Sequence, residues 1–108
     1  MWKMKIFMEP MFRVLQVQLE AFDAQLPRLL ALKPDVVIIT ADHSSPALMQ
    51  SHSWHPVPLL LYSKFVRADR LSTFGERSCA MGSLGIMPAK HVMPLALANA
   101  GRVAKYGA

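Results

Sequence analysis

The chain has 108 residues, 53% hydrophobic and 18% charged, with twelve Lys and Arg against seven Asp and Glu for a formal charge of +5. That balance suits one small packed domain, or part of a larger one, and excludes a wholly disordered chain. No apolar run reaches the roughly 18–20 residues that cross a bilayer, and the lone Cys79 excludes an internal disulfide, so a cytoplasmic location is the default expectation.

The methionine-rich start, residues 1–10, mixes charge with apolar residues and has no continuous apolar stretch and no small-residue cleavage site. It is not expected to be a signal peptide, and an irregular or disordered terminus is predicted there. Phe12, Leu15, Leu19 and Phe22 then recur at helical spacing, flanked by Val14 and Val17. An amphipathic helix over about residues 11–25 follows from that period. Pro27 is expected to interrupt it, with Arg28–Leu32 resuming as a short helical turn that Lys33-Pro34 stops.

Val36-Val37-Ile38-Ile39-Thr40 is a run of apolar and β-branched residues, which suits a strand covered on both faces, as in a parallel sheet. With the preceding helix it predicts the second half of a βαβ unit. Asp42 and His43 stand where such a strand would leave its sheet, and ligands of open α/β folds bind in the crevice outside the strands' carboxyl ends. Ser44-Ser45-Pro46 then turns the chain toward a short helix near Ala47–Gln50. A polar, histidine-containing loop, Ser51-His52-Ser53-Trp54-His55-Pro56, precedes a second apolar strand over Val57–Tyr62, whose two prolines fit only at its start. Residues 63–73 read as a surface loop, Phe74–Ala80 as a helical turn and Gly82–Gly85 as a turn or cap. A last helix is predicted from about Pro88 to Asn99, with Pro94 inside it as a possible kink.

The basic residues are scattered singly, with no tract and no interleaved aromatic platform, so nucleic acid is not an expected partner. The positive charge suits an anionic small molecule as well. Asp42, His43, His52 and His55 place one carboxylate and three imidazoles within fourteen residues. The spacing fits no zinc finger, whereas mixed carboxylate and imidazole ligands suit manganese, magnesium or zinc in an enzyme site. Each residue has a plainer role open to it. Asp42 could serve only as a helix N-cap, and His52 or His55 alone could be an ordinary loop histidine. Ser44, beside two ligand types, reads more readily as a turn hydroxyl than as a nucleophile.

Thr40-Ala41-Asp42-His43-Ser44-Ser45-Pro46, followed by His52-Ser53-Trp54-His55-Pro56-Val57-Pro58, closely resembles the C-terminal part of the archaeal type of cofactor-independent phosphoglycerate mutases, members of the alkaline phosphatase-like metalloenzyme superfamily. The likeness continues through Phe74–Cys79, Gly82–Gly85, Met93–Ala100 and the terminal Lys105-Tyr106-Gly107-Ala108, and covers roughly residues 12–108. It implies an α/β fold: the C-terminal part of an alkaline phosphatase-like parallel-sheet sandwich, ordered helix, strand, loop, strand, helix. Residues 11–108 form a partial metalloenzyme domain in this reading, and residues 1–10 lie outside it. By the same resemblance Asp42 and His43 hold one of two divalent ions, Mn2+ or Mg2+ with Zn2+ possible, and His52 is a ligand of the other. His55 would at most contact a ligand.

Such enzymes interconvert 3-phosphoglycerate and 2-phosphoglycerate, a glycolytic step, through a serine that accepts the phosphoryl group and returns it. The family's nucleophilic serine, its N-terminal metal-binding Asp, and the Asp and His that complete the second metal site are expected upstream of anything present here, as is the inserted substrate-recognition domain. The chain by itself is therefore expected to be inactive, and either a complementing N-terminal half or self-association is expected to cover its open edges. Two alternatives stand beside this one: a fragment of another phosphatase or phosphomutase of the superfamily, and a non-catalytic metal-binding module.

Overall fold

The computed structural model describes residues 2–46, 48–49 and 51–103, and side chains from Leu15 onward apart from Ala47 and Gln50. Helix α1 spans Trp2–Ala31 and strand β1 Val36–Ile39; strand β2 spans Leu60–Ser63, helix α2 Glu76–Ala80 and helix α3 Val92–Asn99, which a 3-10 turn at Ala89–His91 precedes. Two compact units result, Met1–Pro34 with Ser44–Trp54, and Asp35–His43 with His55–Ala108.

In the first unit, α1 is one continuous helix. It takes in residues 2–10, where an irregular terminus is expected from the sequence, and it does not break at Pro27. Met, Lys, Glu and Leu, all good helix formers, supply the propensity in both stretches. A proline within a helix leaves the carbonyl four residues earlier without its usual donor. For Pro27 that carbonyl belongs to Asp23, and both residues are exposed, so water can serve it. Surface hydrogen bonds from Gln16 to Glu20 (2.9 Å) and from Arg28 to Gln25 (3.1 Å) sit at the spacings that bring side chains together on a helix. The helix ends where Lys33 adopts a left-handed φ of 52°, just before Pro34.

The second unit holds the sheet. β1 pairs with β2 in antiparallel fashion, with Val36 opposite Ser63 and Ile39 opposite Leu60. The parallel arrangement expected from the apolar run is thereby corrected. A parallel pair needs a crossover, usually helical, whereas among the described residues between these strands there is no helix, and β2 runs back along β1. Thr40 Oγ1 donates to the Pro58 carbonyl at 2.9 Å, extending the tie one step beyond the last ladder pair. Pro56 and Pro58 precede β2, as their missing N–H groups require.

Helix α3 packs on β1. Val37 lies at the centre of this small core and is, among the described residues, the only buried apolar side chain, 6% exposed. Buried Ser63 joins helix and sheet: its Oγ donates to Asn99 Oδ1 at 2.7 Å and accepts the Phe65 N–H at 3.2 Å, while the Asn99 amide donates to the Leu95 carbonyl at 3.0 Å. Pro94 introduces no break within α3. It falls in the helix's first turn, where N–H groups have no intrahelical partner, and the preceding residues form the 3-10 turn instead. The helix closes with paired bonds, Gly101 N–H to Ala98 O (3.1 Å) and Arg102 N–H to Leu97 O (2.9 Å), with Gly101 at φ 72°. Asp69 accepts the N–H groups of Leu71 (3.0 Å) and Ser83 (3.3 Å), pinning two loop segments together.

Candidate metal centre

The backbone leaves β1 at Ile39 and reaches Asp42 and His43 three and four residues later, so the strand delivers both side chains at its carboxyl end. Asp42 is 85% exposed at its side chain and His43 40%. One carboxylate oxygen, Oδ1, accepts the His43 backbone N–H at 3.0 Å, which fixes the carboxylate plane against the turn. The other, Oδ2, lies 3.3 Å from His43 Nε2.

That distance is informative about the donor set. Two donors each about 2.1 Å from one cation are separated by about 3.0 Å at octahedral angles and about 3.4 Å at tetrahedral ones. The Asp42–His43 spacing falls between these values, so an oxygen and a nitrogen are already as far apart as neighbouring ligands of one divalent ion. The same spacing is that of a direct contact between the two side chains, and the donor types, a carboxylate and an imidazole, are ones that Mn2+, Mg2+ and Zn2+ accept.

His52 belongs to the other unit, within Ser44–Trp54. There Ser44 and Ser53 form an antiparallel bridge, with the Ser53 N–H donating to the Ser44 carbonyl at 2.9 Å. Ser45 and His52 are the next pair along that register, and Ser45 Oγ lies 3.1 Å from His52 Nδ1. The alternation of a strand pair sorts the side chains: Ser44 is buried at 3% exposure, Ser45 and His52 face outward. Met49 N–H donates to the Pro46 carbonyl at 3.0 Å in the intervening turn. The short helix expected near Ala47–Gln50 rests partly on residues outside the described ones; Leu48 and Met49 lie in a turn. His55 is exposed on the approach to β2, in the second unit.

Among the described residues, no three His, Cys, Asp or Glu side chains gather into a metal-holding group. The candidate ligands occur instead as an Asp42–His43 pair and as His52 with its serine partner. The contact of Ser45 with His52 is not anticipated by the sequence, which gives Ser45 only a place in the Ser44-Ser45-Pro46 turn. No helix among the described residues is long and apolar enough to cross a membrane.

Comparison with known families gives the class: residues 13–99 match the metalloenzyme superfamily, and the chain belongs to it. Within that class it is similar to proteins described as probable 2,3-bisphosphoglycerate-independent phosphoglycerate mutases. The Thermus thermophilus protein is 56% identical over 91 residues, which are 84% of this chain and 22% of the relative. That of Aquifex aeolicus is 54% identical over 90 residues, 83% of this chain and 22% of the relative. Among solved structures, the PH0037 protein from Pyrococcus horikoshii superposes with a TM-score of 0.62 at 40% identity, covering 68% of this chain and 22% of that one. The chain thus spans about a fifth of the length of the relatives it matches.

Proposed function

We propose that this chain is the C-terminal, ligand-bearing portion of a metal-dependent phosphoglycerate mutase that interconverts 3-phosphoglycerate and 2-phosphoglycerate in cytoplasmic glycolysis through a phosphoserine. The observation that carries this reading is the Asp42–His43 pair at the end of β1, with Oδ2 and Nε2 3.3 Å apart, in a segment 56% identical to a probable mutase. Asp42 and His43 hold one divalent ion, Mn2+ or Mg2+, and His52 contributes to a second. When bound, the ions neutralise phosphoryl charge and lower the pKa of an attacking hydroxyl.

The chain's own residues provide the rest. Asp42 supplies the negative charge that attracts a cation, and its hydrogen bond to the His43 N–H keeps the carboxylate oriented when the cation leaves. His43 supplies an imidazole donor whose ring is held beside that carboxylate. The net charge of +5 favours approach of an anionic phosphorylated substrate. In this reading residues 11–108 are the metalloenzyme portion, the serine nucleophile comes from a complementing N-terminal part, and the 108 residues alone do not turn over.

A chimera tests it. Residues 13–99 replace the matching segment of the Thermus thermophilus relative, and conversion of 3-phosphoglycerate is followed by a coupled assay with Mn2+. The chimera is expected to turn over, and His43→Ala to lower the rate at least about a hundredfold, since a bound ion is worth several kcal/mol of transition-state charge stabilisation. A chimera that melts cooperatively near the parent's Tm yet shows no turnover sinks the reading, and so does an undiminished His43→Ala variant.

A further inference from the structure

Between the end of β1 and the Asp42–His43 pair stands Thr40, one residue past the last ladder pair, Ile39 opposite Leu60. Continued two steps, the same register sets Ala41 opposite Pro58. A proline has no N–H, so Pro58 cannot return a ladder bond, while its carbonyl remains an acceptor. The Thr40 hydroxyl takes up that acceptor, with Oγ1 2.9 Å from the Pro58 oxygen. The direction of this bond is fixed, because a carbonyl oxygen only accepts. Thr40, Pro58, Asp42 and His43 all belong to the second unit. The threonine side chain therefore joins the two segments where the ladder stops, two residues before Asp42.

Asp42 in turn meets its neighbour over short distances: Oδ1 accepts the His43 N–H at 3.0 Å, and Oδ2 lies 3.3 Å from His43 Nε2. The Asp42 side chain is 85% exposed, so burial does little to hold it in place. At the exposed end of a strand, local opening is cheap and multiplies the orientations a side chain can take, and a bond that closes the end removes them. We propose that Thr40 is a positioning residue for the Asp42–His43 pair: its bond to the Pro58 carbonyl keeps the carboxyl end of β1 from fraying and so keeps the two side chains together. The proposal rests on the reading of Asp42 and His43 as the functional pair, and it requires nothing to be bound there. Thr40→Val removes the donor at nearly constant shape and keeps the β-branch, whereas Thr40→Ser keeps the hydroxyl.

The test uses the full chain, labelled with 15N, and reads the exchange of backbone amide protons with water by NMR, corrected for intrinsic sequence effects. The His43 amide reports the pair, because its N–H is donated to Asp42, and the amides of β1 and β2 report the ladder. In the wild type the His43 amide is expected to exchange more slowly than in Asp42→Ala. Thr40→Val should speed exchange at His43 about three- to tenfold, the worth of one hydrogen bond. The ladder amides should keep their rates, and Thr40→Ser should restore the wild-type rate at His43. A His43 amide that ignores Thr40→Val overturns the proposal. So does acceleration spread evenly over the ladder, which a general loss of stability would give, and so does a Thr40→Ser variant that behaves like Thr40→Val. Equal His43 rates in the wild type and Asp42→Ala would remove the Asp42–His43 contact itself, so that the reading of the pair falls and the role of Thr40 with it. A protected wild-type amide with no response to Thr40→Val sinks the positioning role alone.

Discussion

At the residue scale, the candidate site depends on small polar groups whose partners are close by. Asp42 meets His43 through both carboxylate oxygens, by a backbone N–H at one and the ring at the other. Replacing the charge but not the shape separates these roles. Asp42→Asn keeps an acceptor for the His43 N–H yet removes the anion, so Mn2+ affinity, read from water-proton relaxation, is expected to fall at least about tenfold while the melting curve stays within about 0.5 kcal/mol of wild type. An unchanged Mn2+ titration would show that the carboxylate holds no ion. Ser63 is the structural counterpart. Its buried hydroxyl satisfies Asn99 and the Phe65 N–H together, and Ser63→Ala is expected to destabilise the chain by about 1–2 kcal/mol in urea denaturation.

At the element scale, backbone conformation and burial decide where substitutions are costly. Gly101 sits at φ 72° just past α3, where the helix's last carbonyls take their bonds from Gly101 and Arg102. A Cβ added there meets no neighbour within 4 Å, so the penalty is conformational alone. Gly101→Ala should therefore cost about 1 kcal/mol, visible as a lower urea midpoint with an unchanged slope. Val37 is the other sensitive point. It is the buried apolar side chain of β1, the strand that α3 packs on, and Val37→Ala is expected to cost about 2 kcal/mol by lost burial. An equal cost for Val36→Ala, at a half-buried position on the opposite face of the strand, would show that β1 has no preferred face.

At the scale of the whole chain, apolar side chains remain uncovered in both units. Leu19 and Leu32 lie on or just beyond α1, and Phe65, Ile86 and Met93 are exposed in the second unit. Large apolar groups left in water in this number favour association. Size-exclusion chromatography of the purified chain across a range of concentrations is expected to show an apparent mass that rises with concentration, and a concentration-independent monomer would contradict this.

Much of this arrangement was legible in the residues themselves. The β-branched run Val36–Ile39 became β1 and the prolines before Leu60 marked the start of β2, because these signals are local, while the metalloenzyme family was legible from several motifs in order, among them Thr40–Pro46, His52–Pro58, Phe74–Cys79 and Met93–Ala100. The uninterrupted α1 was not legible. A proline is read as a break unless one knows that the carbonyl it strands faces water, and Asp23 is exposed.

Strand direction likewise belonged to the tertiary structure. An apolar run looks the same in a parallel and an antiparallel sheet, and only the tertiary structure shows β2 running back against β1. By itself the sequence determined which residue types stand at the end of the first strand, and so the chemistry on offer. The fold alone decided which of them meet, because the contact between Ser45 and His52 depends on a cross-strand register that the Ser44–Ser53 hydrogen bond sets and that no residue spacing encodes.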